Sequence, residues 1–177
     1  MTFEEKTISS ERIYEGKILN LRKDTVEAFG NQISAREIVE HPGGVAIVAI
    51  TDDNKMVMVK QFRKAAEKVM LEVPAGKHEK GEDTLKTAVR ELKEETGYTA
   101  SEIKLLTKFY ASVGYTEEVL YLYLCTGLTS GETEFDEHEA IEIVEYKLDD
   151  LYDMVMSGEI EDAKTIVAIL MAKIHRP

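Results

Sequence analysis

The sequence predicts an α/β (α+β) fold in which a mixed β-sheet lies between helices, in an α/β/α arrangement, with an N-terminal antiparallel β-sheet extension. Two observations predict this architecture. In the middle and last parts of the chain, strand-like segments surround one long helical segment and precede two terminal helical segments. Before them comes a block of strand-like segments that are separated by glycine turns.

Residues 1–42 form the predicted extension, and residues 43–177 the predicted main domain. The stretches KTISSERIY, KILNLRKDTVEAF and QISAREIVE have strand-like composition. Gly16 and the pair Gly30-Asn31 are the turn signals between them. We therefore expect three antiparallel strands here.

The main domain begins after the pattern-breaking segment HPGG. GVAIVAI and MVMVKQF, joined by TDDNK, predict a buried hairpin. LEVPAG then leads into the long helix, and EIKLLTKFYAS, EEVLYLYLCTGL and IEIVEYKL predict strands after it.

Two helices are expected to end the chain, from about residue 149 to Ser157 and from about residue 162 to His175. Gly158 is the stop signal of the first helix. The second helix is expected to place four apolar residues on one face, namely Ile166, Ile169, Leu170 and Ile174.

Composition limits the possible functions. With 44% hydrophobic and 32% charged residues, the chain is typical of a folded globular domain. A net charge of -12 argues against binding long nucleic acid, which needs clustered Lys and Arg. MTFEEKTISS lacks an apolar signal region and no apolar run is long enough to span a bilayer, so we expect a cytoplasmic protein without membrane contact. Cys125, the only cysteine, is expected in the core.

The long helix carries the chemical signal. Between Gly76 and Tyr98 the chain reads GKHEKGEDTLKTAVRELKEETGY, and its helix is expected to stop at Gly97. Positions three and four apart share one face of a helix, so three of its glutamates, Glu91, Glu94 and Glu95, form one acidic stripe. A divalent cation with a preference for oxygen ligands, Mg²⁺ or Mn²⁺, would compensate their repulsion. Taken alone, the stripe fits an ordinary charged surface helix better.

The other faces of this helix have simpler interpretations. An apolar stripe beside the acidic one is expected to face the core, and it consists of Leu85, Ala88, Val89 and Leu92. The remaining arc, with Lys86, Arg90 and Lys93, is expected to face solvent.

The flanking pattern favours the metal-binding interpretation. The segment resembles the Nudix box, GX5EX7REUXEEXGU, in which every fixed position is matched here: Gly76, Glu82, Arg90, Glu91, Leu92, Glu94, Glu95 and Gly97, with Tyr98 at the last bulky position. We expect the two glycines to permit a turn and the helix C-cap. Arg90 is suited to hold a carboxylate in a bidentate pair.

The resemblance covers nearly the whole chain. YEGKILNLRKDTV, AREIVEHPGG, VKQFRKA, LEVPAGK and DEHEAIEIVE are similar to segments of the ADP-ribose pyrophosphatase branch of the Nudix hydrolases. The resemblance implies a Nudix fold and a homodimer joined through the N-terminal sheet. It also implies Mg²⁺-dependent hydrolysis of ADP-ribose, a small nucleoside diphosphate substrate, to AMP and ribose 5-phosphate.

The same resemblance implies roles for individual residues. Glu91, Glu95 and the backbone carbonyl of Ala75 match metal ligands of the family. In the acidic loop EFDEHEA, Glu137 is expected as the general base and Glu139 as a further metal ligand.

Further residues are assigned in the same way. Glu94 is expected to bind metal or to act as the alternative base, while Glu82 and Arg90 orient the catalytic carboxylates. Four residues are expected to contact the substrate, namely Arg36, Arg63, Glu72 and Tyr115, with Arg36 reaching across the dimer.

One departure from the family pattern leaves the substrate open. Where relatives carry Ser-Pro-Gly after the box, this chain has Val113 in place of proline, in ASVGYTEE. Another nucleotide sugar, such as GDP-mannose, or a dinucleoside polyphosphate is the enzymatic alternative. A Nudix-like sensor that binds a nucleotide sugar without hydrolysing it is the non-enzymatic one, but such modules usually lose box carboxylates or gain a basic extension, and this chain does neither.

Overall fold

A computed structural model describes residues 3–79, 81–133 and 140–175 of the chain, and these contain ten strands and three helices. The chain divides into two compact units. The first comprises the residues up to Gly43 together with Tyr110–Val119, and the second comprises Gly44–Phe109 and the residues from Leu120 onward. Within the three described stretches, every helix is too short or too polar to traverse a bilayer.

The first unit is built on an antiparallel sheet of three strands in the order β1-β2-β3. The strands are β1 (Lys6–Glu15), β2 (Asn20–Ala28) and β3 (Gln32–Glu40). Gly30 and Asn31 have φ angles of 76° and 60°, the left-handed conformation that a tight turn between β2 and β3 needs. The predicted strands and this turn are therefore confirmed.

Residues 110–119 return to the first unit from a distant part of the sequence. The backbone N–H of Val39 in β3 donates to the carbonyl of Tyr115 at 2.7 Å, and the N–H of Glu117 donates to the carbonyl of Val39 at 3.2 Å. The hydroxyl of Thr116 donates to the same carbonyl at 3.1 Å. These bonds attach the segment to β3.

The second unit contains the predicted mixed sheet, in the order β7-β4-β9-β8. Its strands are β4 (Gly44–Ala49), β7 (Ala75–Lys77), β8 (Thr99–Tyr110) and β9 (Val119–Thr129). Because β4 runs antiparallel to β7 and parallel to β9, the sheet is mixed, as predicted. A separate antiparallel sheet joins β10 (Glu142–Lys147), β5 (Lys55–Arg63) and β6 (Lys68–Glu72).

The predicted hairpin of GVAIVAI and MVMVKQF is wrong. These segments form β4 and β5, which lie in different sheets and share only an isolated bridge between Ile50 and Met56. All six residues of β4 are buried, and both of its edges are occupied, by β7 and by β9. No edge of β4 is left for β5, which pairs with β10 and β6 instead.

Helices cover both faces of β4, which confirms the α/β/α layering. Alternate side chains of a strand point to opposite faces. Ala46 and Val48 share a core cluster with Ile169 of α3 (Ala163–Ile174). Ile47 packs in another cluster with Leu92 of α1 (Thr84–Thr96). The remaining helix, α2 (Leu148–Ser157), contributes Leu151 to the α3 side of the core.

The terminal helices have the predicted extents, but α3 is rotated relative to the prediction. Gly158 ends α2 with a φ of 79°, as expected. On α3, the side chain of Ile174 is 74% exposed and Leu170 is also exposed, whereas the buried face consists of Thr165, Ala168, Ile169 and Ala172. The rotation follows from a hydrogen bond at the start of the helix, where the hydroxyl of Thr165 accepts from the buried N–H of Val73 at 3.0 Å.

Cys125 lies in the core, as predicted. It is fully buried on β9, and burial raises the pKa of its thiol to about 12. A thiol in this environment is a packing group and not a nucleophile.

Candidate active site

Helix α1 presents its acidic stripe to the protein and not to solvent. Its start is capped by the carboxylate of Asp83, which accepts from the N–H of Leu85 at 3.0 Å, and its end by Gly97 in the left-handed conformation. Glu95 is buried at 6% exposure. The predicted apolar stripe is therefore only half right, because Ala88 and Leu92 are buried but Leu85 and Val89 are exposed. Contacts of the glutamates with β7 set this rotation.

The first of these contacts explains the glycine at the start of the box. A Cβ atom on Gly76 would lie 1.8 Å from the carboxyl carbon of Glu91, so this carboxylate occupies the space that any other residue would fill. Gly76 lies in β7, paired with Val45, and its φ is not positive. The expectation that Gly76 permits a turn is thus wrong, and close approach is the reason for glycine here.

The second contact brings Glu95 to the neighbouring residue. The N–H of Ala75 donates to Oε2 of Glu95 at 2.9 Å. Two of the predicted metal-binding carboxylates therefore lie at consecutive backbone positions of β7, Ala75 and Gly76.

Arg90 joins the other carboxylates of the box. Its Nη1 donates to Glu91 and to Glu94, each at 2.8 Å, and its Nε and Nη2 donate to the two oxygens of Glu82 at 3.3 and 3.2 Å. Nη2 also donates to the carbonyl of Lys77 at 3.2 Å. Arg90 was expected on the solvated face, but it is half-buried because three carboxylates surround it.

This network has a marked electrostatic effect. Hydrogen bonds from Arg90 lower the pKa of Glu82 to about 2, and the hydrogen bond to Glu82 is the main cause of a raised pKa for Arg90. Glu82 is therefore held as an anion by a cation that cannot be deprotonated at ordinary pH.

The donor set fits a divalent cation that prefers oxygen. Glu91 and Glu95 supply carboxylate oxygens beside the β7 backbone, and such oxygens are the ligands that Mg²⁺ and Mn²⁺ prefer. In the described stretches, no three His, Cys, Asp or Glu side chains are grouped closely enough to hold a metal ion. The further predicted ligand, Glu139, and the predicted base, Glu137, lie outside the described residues.

A second buried network holds two of the predicted substrate residues. Arg63 donates from Nε and Nη2 to the two oxygens of Glu72, at 2.6 and 2.8 Å. Glu72 is only 1% exposed, and it also accepts from Nζ of Lys164. Sequence reasoning missed Lys164, which reaches Glu72 from 92 residues further along the chain without any local motif.

The remaining predicted substrate residues, Arg36 and Tyr115, belong to the first unit. Arg36 forms a two-point ion pair with Glu5 and donates to the hydroxyl of Ser34 at 2.9 Å. The side chain of Tyr115 is exposed, and its backbone is bonded to β3. Val113, the departure from the family pattern, is 81% exposed in the same segment.

His78, which lies within the box segment, contacts both α1 and β9. Its Nδ1 lies 3.0 Å from the hydroxyl of Thr87, and its ring packs edge-on against Tyr121. Nε2 is buried without a hydrogen-bond partner among the described residues. Burial lowers the pKa of this imidazole, so it is neutral at physiological pH and packs between α1 and β9.

Comparison with known proteins agrees with these observations. A family model described as NUDIX domain matches residues 40–168, and one described as nucleoside diphosphate sugar hydrolase N-terminal domain matches residues 5–39. A crystal structure titled ADP compounds hydrolase has the same fold, with a TM-score of 0.86 at 20% identity, over 98% of this chain and 95% of that one.

Relatives are similar over almost their full lengths. An ADP-ribose pyrophosphatase of Bacillus subtilis is 48% identical over 95% of this chain and 92% of its own. A methanol dehydrogenase activator of Bacillus methanolicus is 46% identical over 94% and 91%. A GDP-mannose pyrophosphatase of Salmonella typhimurium is 28% identical over 85% and 84%.

These matches confirm the family that the box residues predicted, whose hydrolases use divalent metal ions. The chain therefore belongs to the NUDIX family of hydrolases and carries the N-terminal domain of its nucleoside diphosphate sugar hydrolases.

Proposed function

We propose that this protein is a Mg²⁺-dependent hydrolase that cleaves the diphosphate of ADP-ribose to AMP and ribose 5-phosphate. The observation that supports metal-dependent hydrolysis is the approach of Glu91 and Glu95 to the adjacent backbone of Gly76 and Ala75. The substrate is inferred from the Bacillus subtilis relative, which is described as an ADP-ribose pyrophosphatase and resembles this chain over almost its whole length.

In this proposal, Glu91, Glu95 and the carbonyl of Ala75 hold the metal together with Glu139. When bound, Mg²⁺, or Mn²⁺ in its place, polarises the diphosphate and makes water a better nucleophile. Carboxylate and carbonyl oxygens are the ligands that such ions prefer, so the assignment follows from the donor chemistry as well as from the family pattern.

The other box residues position these groups and move a proton. Arg90 fixes Glu91 and Glu94 relative to each other, since one of its nitrogens donates to both. Glu137 takes the proton of the attacking water, with Glu94 as the alternative base. The water oxygen bonds to phosphorus, and the P–O bond to the bridging oxygen breaks, so no covalent enzyme intermediate is needed.

Substrate binding is assigned to Arg63, Glu72, Arg36 and Tyr115. Arg63 provides a cationic N–H group for a phosphate oxygen, and Glu72 holds Arg63 in place. We further propose that the protein is a cytoplasmic homodimer in which Arg36 serves the partner's substrate. Exposed apolar side chains on β1, such as Ile8 and Ile13, support an interface on this sheet.

The decisive experiment is the Mg²⁺-dependent release of AMP from ADP-ribose by wild type and Glu95→Gln. We expect the variant to lose at least about a hundredfold in rate, because an amide is a poor metal ligand. The fold should stay intact, since the amide oxygen of glutamine still accepts from the N–H of Ala75. Glu102→Gln on β8 is the matched control, because Glu102 is exposed. Near-normal turnover by Glu95→Gln would refute the ligand assignment.

The same assay separates the alternatives. GDP-mannose or another nucleoside diphosphate derivative is a second candidate substrate, supported by the Salmonella relative and by Val113 in the place of proline. A panel of these substrates at equal concentration ranks them by kcat/KM. A sensor would bind ADP-ribose and release no AMP.

A further candidate activity comes from the relative described as a methanol dehydrogenase activator. It is tested by adding wild type or Glu95→Gln to methanol dehydrogenase and measuring methanol oxidation. Activation by wild type but not by the variant would link it to the carboxylate site.

A further inference from the structure

The buried carboxylate of Glu72 binds two cations at once. It lies at the end of β6 and is 1% exposed. Arg63 contacts both of its oxygens, and Lys164 contacts Oε2. Because each oxygen is engaged in this way, the plane of the carboxylate is fixed from two directions.

Only one edge of the Arg63 guanidinium group is bonded to Glu72. Its Nε and Nη2 face Glu72, whereas Nη1 makes no hydrogen bond to any residue that the structure describes, and the side chain is 41% exposed. The hydrogen bonds to Glu72 raise the pKa of Arg63, and the charges of Glu95 and Asp162 add to that rise. The guanidinium thus lies within the field of a proposed metal ligand and has one edge available for an anion.

Lys164 is itself fixed by the start of α3. Its side chain is 13% exposed, and Nζ donates to Asp162 at 2.9 Å. Asp162 caps the helix by accepting from the N–H of Thr165 at 3.0 Å. Thr165 in turn accepts from the N–H of Val73, the residue after Glu72. The first turn of α3 therefore holds Val73, two residues before β7 begins. The backbone of β7 carries the proposed metal site.

We propose that Lys164 is a positioning residue for substrate binding, which acts through Glu72 to present Arg63 to the diphosphate. The inference rests on the proposed function in that it takes Arg63 as a phosphate ligand. Without Lys164, the buried carboxylate depends on Arg63 alone for neutralisation, and the guanidinium is drawn toward it and away from the ligand. Binding is then weakened more than the chemical step.

The test compares Lys164→Met with wild type. The first readout is the Kd of ADP without divalent metal, measured by calorimetry, since ADP carries the diphosphate common to all candidate substrates. The second is kcat and KM of hydrolysis. We expect Kd and KM to rise about tenfold and kcat to stay within about threefold. Lys164→Arg should restore most of the affinity, because it keeps a cation beside Glu72.

Lys68→Met is the matched control. Lys68 also joins β6 to the residues before α3, through an ion pair with Glu161 in which both side chains are exposed. Its backbone pairs with Arg63 across the strands, but its ammonium is bound to Glu161 and not to Glu72, so the substitution removes a cation without touching the buried carboxylate. Its removal should leave Kd and KM unchanged.

A double-mutant cycle distinguishes positioning from general destabilisation. If Lys164 acts through Arg63, then Lys164→Met should have no further effect on the Kd of ADP in an Arg63→Ala background, whereas independent effects would add. Additive effects, or an unchanged Kd in Lys164→Met, would overturn the inference.

Lys164→Gln, a milder change, replaces Lys164→Met if the latter does not fold. Wild type that shows the predicted Lys164-dependent ADP binding but does not hydrolyse ADP-ribose would refute the proposed function alone.

Discussion

The close approach of Glu91 to Gly76 yields a prediction at the level of single residues. The Cβ of Gly76→Ala would lie 2.0 Å from Oε1 of Glu91, so the carboxylate has to move by more than an ångström. Misplacement of a reacting or binding group by about this distance costs on the order of a hundredfold in rate. We therefore expect Gly76→Ala to lose about this factor in kcat of ADP-ribose hydrolysis while its circular dichroism stays native.

The combination of Gly76→Ala with Glu91→Gln shows whether the loss passes through Glu91. If the methyl group acts by displacing this carboxylate, the double variant should be about as slow as Glu91→Gln alone. Losses that multiply would mean that the methyl group harms the site by another route.

Arg90 and Glu82 give a second prediction, on the pH dependence of stability. Arg90 lowers the pKa of Glu82 to about 2 from an ordinary value of 4.5. A carboxyl group with a lowered pKa in the folded state stabilises the fold above its unfolded pKa, and this stabilisation is lost as the pH falls from about 4.5 toward 2. After allowing for solvent screening we expect a contribution of about 1 kcal/mol. Glu82→Gln should lower the free energy of unfolding by this amount at pH 7.

Urea denaturation at a series of pH values between 7 and 3 measures this difference, with Glu102→Gln as an exposed control. The difference in free energy of unfolding between wild type and Glu82→Gln should become smaller as the pH is lowered. A difference that does not change with pH would mean that the ionised Arg90–Glu82 pair does not contribute to the free energy of unfolding.

The sequence predicted which residues form the site better than it predicted the structural role of each. Box spacing singled out Glu91 and Glu95, because three- and four-residue spacings on a helix are a local property. The role of Gly76 was misjudged because it depends on a contact with Glu91 across two elements. Lys164 was missed for the same reason, since its partner Glu72 lies far away in the sequence.

At the level of secondary structure elements, α1 was predicted well because its ends are marked by local signals. Asp83 and Gly97 cap it, and both are readable from the sequence. The strands that pair with β4 could not be predicted from the sequence. An apolar run such as GVAIVAI fits a hairpin strand or a central strand equally well, and only the occupation of both its edges by β7 and β9 excludes the hairpin.

The two glycine helix ends provide a matched test at this level. Gly97 and Gly158 both end helices with positive φ, at 71° and 79°. A Cβ on Gly97 would also lie 2.6 Å from the carbonyl oxygen of Gly131, whereas a Cβ on Gly158 meets nothing within 4 Å. Alanine at 158 should destabilise by about 1 kcal/mol through backbone strain, and alanine at 97 by about 1 kcal/mol more through the clash.

Chemical denaturation of both single variants measures these costs. Since the strain is nearly the same at the two positions, the difference isolates the contact between the end of α1 and Gly131. Equal destabilisation would show that residue 131 moves aside without cost.

At the level of the whole molecule, the first unit is the part that the sequence explains least on its own. Its three strands and their turn were predicted, but the return of residues 110–119 to β3 was not, because a backbone hydrogen bond to Val39 leaves no trace in residue type. Every residue of β1 is exposed, and three of its larger apolar side chains, Ile8, Ile13 and Tyr14, are at least 50% exposed. A sheet of three strands gains stability by covering such a surface.

The proposed homodimer supplies this cover and predicts the effect of a charge on β1. Ile8 has no partner in the register with β2, because the ladder shifts between Thr7 and Ser9, and its side chain is 55% exposed. A carboxylate buried in an apolar interface is costly unless it is paired. Ile8→Glu is therefore expected to convert a dimer to a monomer at micromolar concentration in sedimentation experiments.

Ile174→Glu is the appropriate comparison, because Ile174 is even more exposed, at 74%, but lies at the end of α3 in the second unit. If β1 forms the interface, only Ile8→Glu should change the sedimentation coefficient. ADP-ribose hydrolysis by Ile8→Glu should also fall if Arg36 acts across the interface, because the monomer then lacks this cation at its substrate. Full activity in a monomeric Ile8→Glu variant would refute the role of the partner's Arg36 at the substrate. A wild type that is already monomeric would refute the proposed homodimer.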